Sequence, residues 1–296
     1  MLGPKESAWL SIHQIASDFV TSGVAPQYAF FDFNLPPRVR DQEFQEYWNS
    51  LHAEMKALGI TVAGGHTGRY QGCDFTVIGG ATLIGVGDEH EYLAPNMARV
   101  GDAIVVTKGA AIECTAILAK TFPKTISAKL GHSVLERAEK YLHQMSIVKE
   151  ALVVMSKVGM AETRQGGGVT SMHDVEEGGV LSAICEVATA SNNGFSISKS
   201  KIPLSEESRE ICELFGIWDP YVAIGGGSLV LTVSLNKAEK LVNALASERV
   251  RASIVGMMEP KKNGFKIADD RQYKVRYTVI DPYWGAFWKA SRAGWN

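Results

Sequence analysis

The amino-acid sequence predicts a two-domain protein of the α/β (α+β) class, with helices covering sheets in layers. Three observations predict it. The chain has 296 residues, enough for about two domains that each bury a core. Apolar patterns of strand and helix period alternate from end to end. The polar stretch "GDEHEYLAPNMARVGD" (87–102), with no sustained period, interrupts them, and the boundary is placed there, giving domains 1–94 and 95–296.

In the first domain, residues 9–22 read as a helix with Trp9, Ile12, Ile15, Phe19 and Val20 near one face. "YAFFDFNLP" (28–36) reads as a strand, almost wholly apolar and closed by prolines. Phe44, Tyr47, Trp48, Leu51, Met55 and Leu58 repeat at three- and four-residue spacing, a helix that Gly59 ends. "ITVAGG" and "DFTVIGGATLIGVG" read as two strands joined by a polar turn. In the second domain, "DAIVVTKG" is a strand running into the helix "AAIECTAILAK", and "HSVLERAEKYLHQMSIVKEALVVMSKVG" holds one or two more helices. Then come "GVTSMHDVEEGGVLSAICEVA", an acid-rich turn before a small-residue helix, the strand "GFSIS", the helix "SEESREICELFG", the strand "GGSLVLTVS", the helix "KAEKLVNALAS", and strands near 251–257, 263–268 and 273–280.

Composition narrows the function classes. The chain is 46% hydrophobic and 21% charged with a net charge of −2, which gives no basic excess for nucleic acid. No apolar run reaches the roughly 18 residues of a membrane span, and the start has no secretory pattern. Cys73, Cys114, Cys185 and Cys212 are too far apart for a metal knuckle or a CxxC pair, so they read as free thiols of a cytoplasmic protein.

Four segments could carry chemistry. Asp18, in "ASDFVTSGVAP", sits on a helix whose other face is apolar; alone it reads as a solvated helix residue. In "VAGGHTGRYQG", Gly64 and Gly65 would let backbone amides approach a ligand beside His66, Thr67 and Arg69, or would simply turn a hairpin. In "VVTKGAAIECT", Lys108 stands beside a helix start, where a cation and helix amides can hold an anion. Neither a Walker sequence nor G-x-G-x-x-G is present. In the fourth segment, Met172, His173 and Asp174 precede Glu176, Glu177, Gly178 and Gly179. Its carboxylates could hold a hard cation, while Glu176 and Glu177 also suit a helix start.

In this order the segments resemble the aminoimidazole ribonucleotide synthase (PurM-like) superfamily. That group includes selenophosphate synthase, thiamine-monophosphate kinase and the hydrogenase-maturation carbamoyl dehydratase. "SDFVTSGVAP" resembles the family's "(N/S)-D-h-h-x-x-G-A-x-P" helix end, "VAGGHT" its "GG(D/E)T" strand end, and "VGDAIVVTKG" the strand opening its second domain. "SMHDVEEGGVLSAICEVA" resembles the "AMHD-x-T-x-GG" segment of the hydrogenase-maturation branch. The resemblance covers nearly the whole chain. It implies an N-terminal sheet domain that pairs with its copy into a barrel-like layer, and a larger C-terminal α/β domain. It also implies ATP and Mg2+ in a cleft near the homodimer interface, with a small-molecule substrate and no nucleic-acid or membrane partner. By position, Asp18 and Asp174 would be metal residues. Gly64, Gly65, His66, Thr67, Lys108, Gly178 and Gly179 would line the nucleotide cleft, and His173 with Asp174 would face the substrate.

Three departures accompany the resemblance. Family members carry several dozen residues ahead of the first helix, including a glycine-rich segment and acidic metal ligands; this chain starts almost at that helix. His66 stands where the family has Asp or Glu, and imidazole suits magnesium less well than carboxylate. The hydrogenase-maturation branch also ends in a reactive cysteine, whereas no cysteine follows Cys212, so a thiocarbamate on the tail is not expected. The readings in competition are an ATP-dependent enzyme that activates a small-molecule oxygen by phosphoryl transfer, and a non-catalytic dimeric relative acting in binding or assembly.

Overall fold

The computed structural model describes residues 2–72, 78–88, 91–160, 167–267, 269, 273–274 and 281–296. The chain opens with α1 (Pro4–Val20), which starts earlier than the apolar period alone indicates because Pro4 occupies its first turn. β1 (Tyr28–Leu35) follows, then α2 (Asp41–Ala57), β2 (Thr61–Arg69) and β3 (Ile78–Ile84). β1 alternates strictly: Ala29, Phe31, Phe33 and Leu35 are buried, and they pack with Leu51 and Met55 of α2 and Ala8 and Ile12 of α1.

The expectation that β2 and β3 form a hairpin is corrected. The sheet order is β2-β1-β3, with β2 parallel and β3 antiparallel to β1. β1, α2 and β2 make a crossover unit, so β2 must run parallel to β1, and β3 takes the free edge of β1. β2 also runs past its glycines through His66 and Thr67 to Arg69. Gly65 is required there, because its φ is +151° and a Cβ would collide with the Phe31 carbonyl. Part of the expected turn, residues 73–77 and with it Cys73, lies outside the described residues.

The second domain contributes β4 (Ala103–Thr107), α3 (Ile112–Thr121), α4 (Pro123–Leu130), α5 (His132–Glu139), α6 (Val148–Lys157) and β5 (Val169–Asp174). It continues through α7 (Gly179–Ala190), β6 (Gly194–Ile197), α8 (Glu206–Leu214), β7 (Leu229–Val233), α9 (Ala238–Ser247), β8 (Ala252–Glu259), β9 (Phe265–Ile267), β10 (Tyr273–Lys274) and α10 (Pro282–Arg292). Its sheet runs β10-β9-β6-β8-β4-β7-β5, antiparallel except between β6 and β9.

The central strands are buried on both faces, and period two sorts their side chains. Ala103, Val105, Leu231 and Val233 face the core made with α6 and α9, while Ile104, Val106 and Val230 face α7. α1 joins the two domains. Its N-terminal half packs on the small sheet, and Ala16 and Val20 enter the core of the large one. Ser17 receives the Ile147 N–H at 3.1 Å, and His13 meets Ser146 at 2.8 Å. Cys114, Cys185 and Cys212 are buried and unpaired, as expected.

The sequence reading did not include α10. Its signal was present: Asp281 is the N-cap ahead of Pro282 and accepts the Tyr283 N–H, and Tyr283, Ala286, Phe287 and Ala290 follow helical spacing into a core with Phe122 and Phe215.

Candidate functional site

The end of α1 meets the end of β5 at the joint between the domains. Three carboxylates gather there: one oxygen from each of Asp18, Asp174 and Glu176 lies within 4.8 Å of the others. They come from different elements because Asp18 occupies the last turn of α1, Asp174 ends β5, and Glu176 lies in the turn before α7.

Like charges this close cannot all remain ionised without a proton or a cation between them. Burial, the Asp174 charge and a hydrogen bond with Asp174 push Asp18 up to about 7. Burial and the neighbouring acids also raise Glu176. Asp174 goes the other way: burial would raise it, but the hydrogen bond and charge of His173 hold it below the ordinary carboxylate value. His173 is clamped between Asp174 (Nδ1–Oδ1 3.5 Å) and Glu186 (Nε2–Oε2 3.1 Å), and its Nδ1 lies 2.6 Å from the Asp174 carbonyl oxygen. Burial disfavours the imidazolium, yet these acceptors push His173 up to about 10, so it stays protonated at neutral pH.

A second acidic layer supports the turn. Asp281 accepts the Gly178 N–H at 2.8 Å and the Tyr283 N–H at 2.8 Å, so the cap of α10 also staples the glycine turn. Glu113, in the first turn of α3, lies with its carboxylate against Gly226 of the "GGGS" loop. Burial, with Glu176 and Glu177, pushes it up to about 7. Gly178 and Gly179 both have positive φ, and a Cβ on Gly179 would sit 2.6 Å from the carbonyl oxygens of Ala223 and Tyr221. The Gly178 amide is taken by Asp281 and the Gly179 amide by the Glu176 carbonyl, so this pair shapes the turn.

Of the residues expected from the sequence, Asp18, His173, Asp174, Gly178 and Gly179 come together. Three readings change. Met172, His173 and Asp174 belong to a strand, not a turn. Glu176 and Glu177 are not helix-start residues, because α7 begins only at Gly179, and Glu176 joins the carboxylate cluster. Lys108 is not offered to an anion. Its ammonium is buried, lies 2.5 Å from Glu150, and donates to the carbonyls of Gln144 and Ser146 at 2.7 Å each. Gly64, Gly65, His66 and Thr67 lie on β2, beyond β1 from the strand that α1 contacts, and within one chain they stand apart from the cluster. The His66 ring meets the Tyr70 hydroxyl at 3.2 Å. Sequence reasoning missed Glu113, Glu186 and Asp281; distant elements bring Glu113 and Asp281 to the site, and the turn into α7 folds Glu186 back onto His173.

These features define a two-domain α/β protein with an acidic site at the joint, its small sheet domain locked by one helix to a larger, mostly antiparallel layer. The chain belongs to the AIR synthase related protein family: residues 2–86 match its N-terminal domain and residues 99–268 its C-terminal domain. It is 23% identical to a putative hydrogenase expression/formation protein of Methanocaldococcus jannaschii, over 86% of this chain and 71% of that one. It is 24% identical to the carbamoyl dehydratase HypE of Escherichia coli, over 93% of this chain and 76% of that one. The crystal structure of E. coli HypE superposes with a TM-score of 0.75 at 21% identity, covering 93% of this chain and 80% of that chain. The thiamine monophosphate kinase of Aquifex aeolicus superposes with a TM-score of 0.69 at 16% identity, covering 93% and 84%.

Proposed function

We propose that this chain is an ATP- and Mg2+-dependent enzyme that activates an oxygen of a small molecule by phosphoryl transfer. The observation that carries the proposal is the gathering of Asp18, Asp174 and Glu176 from two domains around one point. Such an all-oxygen set suits magnesium, and burial together with the neighbouring acids, which raise Asp18 and Glu176, disfavours their charges in a way that a dication would offset. Relatives support the nucleotide: HypE has been crystallised in complex with ATP, and others are a selenide, water dikinase and thiamine monophosphate kinases.

Magnesium, when bound, would neutralise phosphate charge and hold the phosphates for in-line transfer. The chain's own groups do the rest. Asp18, Asp174 and Glu176 hold the cation. His173, kept protonated by Asp174 and Glu186, fixes the Asp174 carboxylate and places a positive charge beside the substrate. Gly178 and Gly179 let the turn pack tightly enough to aim Glu176. Gly64, Gly65, His66 and Thr67 serve the nucleotide from β2, with Gly64 and His66 beside Phe30 and Asp32 on the exposed face of the small sheet.

The same face is the proposed homodimer interface. Tyr28, Phe30 and Ile84 project from it and are 41–43% exposed, while the opposite face of β1 is buried. A stable homodimer typically buries upwards of about 2,000 Å2, and a second sheet laid on this one would cover these side chains. His66 in place of a family carboxylate favours a second reading, a relative that binds nucleotide without turnover.

Isothermal titration with ATP, with and without Mg2+, tests the proposal. Magnesium-dependent binding that Asp174→Asn abolishes supports it, and turnover of the bound nucleotide separates the two readings. ATP binding indifferent to Mg2+ and to Asp174 would remove the basis for the enzyme, and no ATP binding would remove the basis for both.

A further inference from the structure

We infer that the chain carries a second ligand site, separate from the carboxylate cluster, which binds a phosphate group through Arg249 and Arg251. The site is a cavity of about 340 Å3 between the loop after β4, the segment before α6, the start of α8 and the α9–β8 link. None of the acidic residues of the cluster lines it. Its polar lining consists of Arg249 and Arg251 with Lys108, Tyr141, Gln144, Ser205 and Ser208.

Charge balance points to an anion. Among the described residues, neither Arg249 nor Arg251 has a carboxylate partner in an ion pair, and no carboxylate lines the cavity. The wall is rigid as well as cationic. Thr115 donates to Ser208 at 2.8 Å, and Ser205 to Ser208 at 2.9 Å. The Lys108 N–H donates to the Arg251 carbonyl at 2.7 Å, and the Ala110 N–H to the Pro203 carbonyl at 2.9 Å, which fastens the walls to one another. Guanidinium forks beside fixed hydroxyls match the oxygens of a phosphate.

Arg249 adds an independent indication. It follows Glu248, the C-cap residue of α9, with φ 62°, where the Arg249 N–H donates to the Ala246 carbonyl and the Val250 N–H to the Leu245 carbonyl, the double bond of a Schellman ending. Glycine or asparagine is the usual occupant, since a Cβ is disfavoured in the left-handed region. An arginine held there lines the cavity at a cost to the backbone. The volume suits a free phosphate or a small phosphate monoester better than a whole nucleotide.

The test is calorimetric titration of the full chain, without Mg2+, using inorganic phosphate and glycerol 3-phosphate. The expected result is binding of at least one of them, weakened about tenfold or more by Arg251→Gln and by Arg249→Gly, consistent with loss of a charge-assisted contact. Tighter binding of the ester identifies a monoester ligand; equal binding identifies the free ion. Arg249→Gly relieves the left-handed strain, so its melting temperature should equal or exceed the parent's, which separates lost binding from lost folding. Asp18→Asn should leave the titration unchanged, so the site stands or falls independently of the carboxylate cluster. No binding of either compound, or binding that the arginine variants leave intact, would overturn the inference.

Discussion

Two charged clusters lie close to the domain joint, and they are built on opposite principles. Lys108 and Glu150 form a closed pair: the Glu150 side chain is buried, Lys108 is mostly so, and the ammonium also meets two carbonyl oxygens. Asp18, Asp174 and Glu176 form an open set of one sign, with only His173 to offset it, and His173 is shared with Glu186. The first cluster is balanced within the fold. The second is balanced only when something positive joins it. Charge compensation, more than residue type, separates a structural site from a functional one here.

The comparison can be broken most forcefully at the closed pair. Lys108→Met leaves the Glu150 carboxylate buried and alone, and should cost about 3–5 kcal/mol by denaturant titration. Adding Glu150→Leu should restore most of the loss. A small loss in the single variant would mean that water reaches the pair and that the two clusters do not differ as described.

Gly179→Ala strikes the turn that carries Glu176. A left-handed backbone and a Cβ pressed on two carbonyl oxygens should cost about 2–4 kcal/mol and weaken any metal response of the cluster. Unchanged stability would show that the loop around Ala223 yields readily.

Asp174→Asn should cost about 1–2 kcal/mol near neutral pH, because it removes a charged partner of His173. The sign follows from linkage. The folded value of Asp174 is depressed, so its contribution is present above the ordinary carboxylate range and is lost as pH falls through the folded value. The difference between parent and variant should therefore close in acid. Asp18 is the mirror image and the smallest effect. Its folded value of about 7 means that the folded state keeps a proton which the unfolded chain releases near pH 4, so stability falls as pH rises through that window. Asp18→Asn should remove that fall, raising stability near neutral pH by no more than about 1 kcal/mol because solvent screens the group. Melting curves across the pH range should show the two variants diverging from the parent in opposite directions.

Much of this was legible in the sequence, and the illegible parts share a cause. The alternation in β1 and the three-four spacing of α2 state their own burial. Asp18 and Asp174 stood out because each accompanies a glycine turn of family form. Glu176 was misread because an acid two residues before a glycine pair fits a helix start as well as a ligand set, and only the position of α7 decides. Lys108 was misread because Lys-Gly before a helix has the form of an anion cradle, while its partner lies 42 residues further along the chain, at Glu150. Asp281 caps Gly178 across 103 residues. Local pattern carries elements; compensation between distant charges is a property of the folded chain alone.

Binding of Mn2+, a paramagnetic stand-in for magnesium, tests the central claim most directly. Electron paramagnetic resonance reports free Mn2+ as it is titrated into the parent chain and into Asp18→Asn and Glu176→Gln. The account predicts that the parent takes up the ion and that each variant weakens uptake about tenfold or more, a loss of one charged ligand. Lys108→Met, measured where it remains folded, should not change uptake. Equal uptake by the parent and both carboxylate variants, or none by the parent, would contradict the account and leave the three carboxylates as a crowded surface with a shared proton.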